Sequence, residues 1–207
     1  LNSLVKELRK FRIKNLPNDL SLSLGSMSMS PLELAQYYTS FSNNGVQMKS
    51  HLILRVEQGS KIAYEKKEES YVVATPSQSF IMTSILMDVV NKGTGRNARV
   101  RGIEIAGKTG TTNKNIDAWF AGYSPTMETV VWFGNDDNTP MYHKETGGRV
   151  AGPAFRKYNQ DVLNLYPQVK REFDVPQGVV EVTVDGEKEY FSDISKPPRV
   201  EVEVDPK

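Results

Sequence analysis

The stretch Gly102-Ile103-Glu104-Ile105-Ala106-Gly107-Lys108-Thr109-Gly110-Thr111-Thr112 decides the fold. It fits two motifs with different chemistry. From Gly102 to Thr109 it spells G-x-x-x-x-G-K-[ST], a glycine-rich loop whose amides cradle phosphate before a helix begins. Here the four intervening residues alternate like a strand, and Gly110-Thr111-Thr112-Asn113 are poor helix formers. Both contexts disfavour a nucleotide site, although Val130 to Phe133 before Asp136 has the form of an apolar strand ending near an acid. From Lys108 onward the same letters spell K-T-G on a strand, a motif of serine enzymes that attack amides. Alternation places Thr109 and Thr111 on one face. Gly110, with no side chain, lets an extended peptide lie close.

Working outward, Ile103 to Thr111, Ala118 to Tyr123 and Thr129 to Phe133 read as three strands. Their short connectors favour an antiparallel meander. Arg149 to Leu165 reads as a terminal helix. Upstream, Ser30-Pro31-Leu32-Glu33 and Thr75-Pro76-Ser77-Gln78 are capping boxes with proline at the first helical position. The first opens a helix with an apolar stripe of Leu32, Leu34, Ala35, Tyr38 and Phe41, closed by Asn43-Asn44-Gly45. The second opens a helix carrying Phe80, Ile81, Ile85, Met87 and Val89, closed by Asn91-Lys92-Gly93. Gly93 to Arg96 is a loop. Residues 1–12 have helical spacing, Asn15 to Asp19 is a loop, and Ser21 to Met29 takes no clear assignment. Residues 52–57 and 61–65 flank Gln58-Gly59-Ser60 as a β-hairpin.

The expected fold is therefore α/β in the α+β sense, an antiparallel sheet flanked by helices over residues 1–170. Residues 171–207 form a separate tail. In it, Val179 to Val184, the turn Asp185-Gly186, and Glu187 to Phe191 make a second hairpin. Pro197-Pro198 and an alternating run from Val200 to Val204 follow.

Composition excludes several classes. With 26 basic against 25 acidic residues among 207, the net charge is +1, and no basic face calls for nucleic acid. The absence of cysteine removes disulfides, thiolate metal sites and thiol nucleophiles. No run approaches the ~18 apolar residues of a membrane span, and no signal peptide opens the chain. The first residues read as the middle of a helix, so the chain is taken as a fragment.

Several blocks carry a resemblance. They are Leu20 to Ser26, Ser30 to Ala35, Asn43-Asn44-Gly45, Ala106 to Asn113, Asp117 to Pro125 and Val131 to Asp137. Their order and spacing over residues 16–166 resemble the transpeptidase domain of class A penicillin-binding proteins. That family uses three motifs, S-x-x-K, S-x-N and K-T-G. Ser3-Leu4-Val5-Lys6 and Ser42-Asn43-Asn44 match the first two as letters only. Ser42 follows Ser3 by 39 residues and Lys108 follows Ser42 by 66. Both gaps are short for the family, and Ser42 lies in a block that follows its S-x-N. The resemblance thus places the nucleophile and its lysine before Leu1, with none in this chain.

The resemblance implies serine acyl transfer in cell-wall cross-linking. A serine attacks the D-Ala-D-Ala carbonyl of a peptidoglycan stem peptide, D-Ala leaves, and an amine from a second stem attacks the acyl-enzyme. β-Lactam antibiotics acylate the same serine. Lys108 and Thr111 are the implied catalytic residues, Thr111 through its backbone N–H as an oxyanion donor. Thr109, Gly110, Thr111 and Thr112 are the implied substrate-binding residues, although alternation turns Thr112 away. No cofactor and no metal are implied. Membrane anchoring on the periplasmic face of the bacterial inner membrane falls to an upstream segment. The missing half, or a domain-swapped second copy, is an expected partner. A carboxypeptidase using water as acceptor, a non-catalytic module of the same fold and the nucleotide-binding reading stay as alternatives. Asp117, Asp136 and Asp137 read as turn and cap formers, and His51 and His143 as surface residues. Trp119, Phe120, Tyr123, Trp132 and Phe133 read mainly as core, one or two of them facing a cleft.

Overall fold

The computed structural model describes residues 1–14, 16–17 and 19–195. Its helices are α1 (Asn2–Lys10), α2 (Pro31–Ser42), α3 (Pro76–Asn91) and α4 (Gly152–Leu165). Its strands are β1 (Val46–Met48), β2 (Arg55–Gln58), β3 (Lys61–Glu65), β4 (Ser70–Val72), β5 (Ala106–Thr111), β6 (Asp117–Tyr123), β7 (Glu128–Gly134), β8 (Val179–Val184) and β9 (Glu187–Ser192). The expected meander forms as an antiparallel sheet in the order β5-β6-β7. The run from Pro197 to Val204 lies outside the described residues, as do Asn15 and Asn18 of the loop before Asp19.

β6 sets the core because its residues alternate between two covered faces. On one face Phe120 stacks on Phe155 of α4, ring centroids 4.7 Å apart, and both are fully buried. Val90, Ala98, Ala151 and Leu163 complete that cluster. On the other face Tyr123 meets Tyr38 of α2 and groups with Ala106 and Leu86, with Phe41 packed against them. The α2–α3 contact is polar and tight, Ser79 Oγ donating to the Ser40 carbonyl at 2.6 Å, and Thr83 Oγ1 of α3 lies 2.8 Å from Tyr123 Oη of β6. Small hydroxyl residues let the two helices approach where larger apolar side chains would hold them apart.

Both capping boxes form. Ser30 Oγ accepts from the Glu33 N–H at 3.2 Å while Glu33 Oε2 accepts from the Ser30 N–H at 2.8 Å. Thr75 and Gln78 repeat the arrangement at 3.2 and 3.0 Å. The tail hairpin forms as β8–β9, with Asp185 (φ 50°) and Gly186 (φ 82°) supplying the positive φ pair that a tight hairpin turn needs. It docks on α3 through Phe80 against Tyr190 and an ion pair between Lys92 and Glu187.

Three expectations shift. The strand expected from Ile103 begins at Ala106, because β6 ends at its partner Tyr123. Glu104 pairs with the tail instead: its N–H donates to the Arg171 carbonyl, and its carboxylate accepts from the Phe173 N–H. The helix expected from Arg149 opens as a π-helical turn, Gly147–Ala151, before α4. Leu32 is not in the apolar stripe of α2. It is 55% exposed beside Leu52, Ile53, Val56 and Tyr64, while Ser40 takes the buried position. In α3, which carries the expected apolar residues, Ile85 is exposed and Phe80, Thr83, Leu86 and Val90 face inward. The three-residue pair β1–β4 was too short to leave a pattern in the sequence.

Glu128, at the start of β7, gives the fold a pH dependence. Its two carboxyl oxygens are shielded from solvent and have no hydrogen-bond partner among the described residues. Burial pushes its carboxyl from 4.5 up to about 9. The titratable groups beside it are phenols: Tyr38 of α2, pushed up to about 12, and Tyr123 of β6, also raised. The folded chain therefore holds a proton that the unfolded chain releases near 4.5, so the contribution of Glu128 to stability is fully present below that pH. It is lost as pH rises toward 9, with a slope on the order of 1 kcal/mol per pH unit. Urea titrations from pH 5 to 9 are expected to show this fall, and Glu128→Gln is expected to flatten it. A slope unchanged by the substitution would assign the effect to other groups.

Candidate active-site wall

The second half of β5 emerges from the core. Ala106 and Gly107 are buried where α3 runs beside them, whereas Lys108 and Thr111 are exposed. Gly107 is required here: a Cβ would lie 2.7 Å from the Phe120 ring.

Hydrogen-bond parity fixes what the strand offers. Thr112 donates its N–H to the Asp117 carbonyl at 3.1 Å. Antiparallel pairs alternate between bonded and unbonded, so Thr111, paired with Ala118, turns its N–H and carbonyl away from β6. Thr109, two residues earlier, does the same. Lys108 Nζ accordingly reaches the outward Thr109 carbonyl at 2.8 Å.

The hydroxyls on this edge are held in place. Thr109 Oγ1 lies 2.8 Å from Thr94 Oγ1, and Thr111 Oγ1 accepts the Gly147 N–H at 3.1 Å. Gly147 sits on the β5–β6 backbone, where a Cβ would come within 2.3 Å of the Trp119 carbonyl and 2.4 Å of the Gly110 carbonyl. Asn97 Nδ2 holds the next residue by donating to the Gly148 carbonyl at 2.9 Å. An ammonium, three hydroxyls and an outward N–H are thus arrayed along one edge. Such an edge can accept an extended peptide as an added strand and bind its carboxylate.

Thr112 is engaged differently. Its hydroxyl donates to Asp117 Oδ2 at 3.0 Å and accepts from the Asp117 N–H at 2.8 Å. Asp117 Oδ1 also accepts from Trp132 Nε1 at 2.8 Å, which ties β6 to β7. Asp137 closes a turn on Thr139. His51 and His143 are exposed, and no metal-binding cluster occurs among the described residues. Of the aromatics, Phe120 and Tyr123 are core. Trp119 is half-buried beside Gly110, and Trp132 and Phe133 are over a third exposed, so the two last are not core residues.

Lys108 and Thr109 lie inside a strand that runs on to Thr111, where a phosphate loop needs a helix, so the Gly102–Thr109 match is one of letters. Ser3 and Lys6 are exposed on α1, and Ser42 Oγ only reaches back to the Thr39 carbonyl of its own helix at 3.4 Å. Sequence reasoning missed Thr94, Gly147 and Gly148. The glycine pair was a visible signal, but nothing local tied it to β5.

The chain belongs to the penicillin binding protein transpeptidase domain family, whose model matches residues 10–160. Penicillin-binding protein 1A of Neisseria gonorrhoeae is 36% identical over 180 residues, covering 82% of this chain and 22% of the relative. Penicillin-binding protein 1A of Aquifex aeolicus is 33% identical over 177 residues, covering 85% and 24%. The crystal structure of penicillin-binding protein 1A from Haemophilus influenzae superposes with a TM-score of 0.79 at 23% identity, covering 93% of this chain and 36% of that one. The chain thus spans about a fifth to a quarter of the length of these curated relatives.

Proposed function

We propose that this chain forms the K-T-G wall of a peptidoglycan D,D-transpeptidase, and that the serine nucleophile is supplied by polypeptide outside these 207 residues. The observation that carries the reading is the outward N–H of Thr111 on the exposed half of β5, beside Lys108 and Thr109. In the proposed reaction the serine attacks the D-Ala-D-Ala carbonyl and D-Ala departs. The amine of a second stem peptide then takes the acyl group. The Thr111 N–H is one of two donors to the oxyanion, and such a donor contributes about 3 kcal/mol to the transition state. Thr94, Thr109 and Thr111 hydroxyls receive the terminal carboxylate, with Gly110 leaving space for the peptide. Lys108 supplies positive potential and moves from the Thr109 carbonyl to the S-x-N serine. Thr112 acts on the substrate only through the position it gives β5.

The same reading makes β-lactams ligands, in keeping with the relatives' name. It places the parent enzyme in the bacterial cell envelope, on the periplasmic side of an inner membrane reached by an upstream anchor. No helix among the described residues is long and apolar enough to cross a membrane. We treat residues 171–207 as a C-terminal extension, in line with a family match that stops at residue 160. The exposed apolar surface at Leu32, Leu52 and Ile53 supports association with the upstream half or a second copy.

The test is covalent labelling by a fluorescent penicillin. The 207-residue chain is expected to stay unlabelled, and a polypeptide that adds the upstream half is expected to label. Lys108→Ala in the longer polypeptide is expected to slow labelling on the order of a hundredfold. Labelling of the short chain at any serine, Ser3 first, or unchanged labelling of the variant, would overturn the proposal.

A further inference from the structure

The edge of β5 is held by a turn packed against it, and that turn has its own support. The π-helical turn Gly147–Ala151 carries the N–H that Thr111 Oγ1 accepts at 3.1 Å. Among the described residues, one further hydrogen bond ties this turn to a distant part of the chain: Asn97 Nδ2 donates to the Gly148 carbonyl at 2.9 Å. A carbonyl only accepts, so this bond fixes which end of the Asn97 carboxamide carries nitrogen. Asn97 is rigidly mounted. It lies in the 3-10 turn Arg96–Ala98 that follows α3. Gly95 donates its N–H to the Val89 carbonyl at 2.9 Å, and Ala98 donates to the Gly95 carbonyl at 2.8 Å. Ala98 itself is fully buried in the Phe120 cluster.

The same loop meets the turn at a second point. A Cβ on Gly148 would lie 2.6 Å from the Thr94 carbonyl, and Thr94 Oγ1 lies 2.8 Å from Thr109 Oγ1. The loop from Thr94 to Asn97 therefore reaches β5 directly at Thr109 and through the Gly147–Gly148 turn at Thr111. We propose that Asn97 is a positioning residue for this edge: by fixing Gly148 it keeps the Gly147 N–H on Thr111 Oγ1, and so sets the line of Thr111. Asn97 acts through Gly148 and needs no contact with a substrate. The positioning role stands on these bonds alone, and only its effect on acylation rests on the transpeptidase reading.

The test has two arms. In the 207-residue chain, amide hydrogen exchange followed by NMR is expected to quicken about fivefold at Gly147 in Asn97→Ala, the effect of one neutral hydrogen bond, while the β6 amides keep their protection. In the longer polypeptide, Asn97→Asp is expected to slow penicillin labelling about tenfold at pH 7, because a carboxylate only accepts and repels the Gly148 carbonyl. Protonation restores a donor. The ratio of the variant's rate to the unsubstituted rate is therefore expected to climb as pH falls from 7 towards the usual aspartate value of about 3.9. Asn97→Ala has no group to titrate there, and its ratio is expected to stay flat. A role in packing alone would give the two variants the same pH profile. Unchanged Gly147 exchange in Asn97→Ala, or an Asn97→Asp ratio that does not move with pH, would overturn the proposal. A longer polypeptide that fails to label with Asn97 in place would overturn the transpeptidase reading instead, and Gly147 exchange would still decide the positioning role.

Discussion

Phe155→Ala is expected to lower the free energy of unfolding by about 3–5 kcal/mol, the range for emptying a fully buried aromatic site. The ring has no solvent exposure and stacks on Phe120 at 4.7 Å. Its neighbours are poorly placed to collapse into the space. Phe120 is already held against the backbone at Gly107 and Gly122, where an added Cβ would lie 2.7 and 2.6 Å from its ring. The vacancy would therefore persist under β5, so the loss combines the transfer term with a cavity term. Urea unfolding is expected to show a lower midpoint with an unchanged slope. A loss below ~1 kcal/mol would mean that α4 repacks and does not anchor the sheet as described.

The second large effect is functional. Gly147→Ala, placed in the penicillin-labelled longer polypeptide, is expected to slow acylation about a hundredfold, the scale for displacing a reacting group by ~1 Å. The added methyl would meet the Trp119 and Gly110 carbonyls at 2.3 and 2.4 Å. Both contacts are backbone, so relief requires β5 and the π-helical turn to separate, which also withdraws the Gly147 N–H from Thr111 Oγ1. Gly152→Ala is the control. Its Cβ would meet Ala98 at 3.5 Å, an ordinary contact, and labelling is expected to be unaffected. Equal labelling of both variants would show that the Gly147 turn does not position the strand.

What the sequence made legible was local. The capping boxes at Ser30 and Thr75 and the turn at Asp185-Gly186 each close within three residues, so their letters specify their geometry. The Lys108–Thr111 strand was readable for the same reason: alternation and short connectors need no distant partner. The hidden parts depend on separation. Thr94 meets Thr109 across 15 residues, and Gly147 meets Thr111 across 36. The start of β5 could not be read from Ile103-Glu104-Ile105, because it is set by where β6 turns and by the tail's claim on Glu104. Leu32 kept its place in the helical period but lost its place in the core, since serines rather than leucines mediate the α2–α3 contact.

The β2–β3 hairpin has a different consequence. Every residue of both strands is exposed, and the hairpin approaches the helices only where Val56 and Tyr64 lie beside Leu32. It takes no part in the Phe120 cluster, so it can open without disturbing the core. Its amides should trade hydrogen for deuterium long before those of β6.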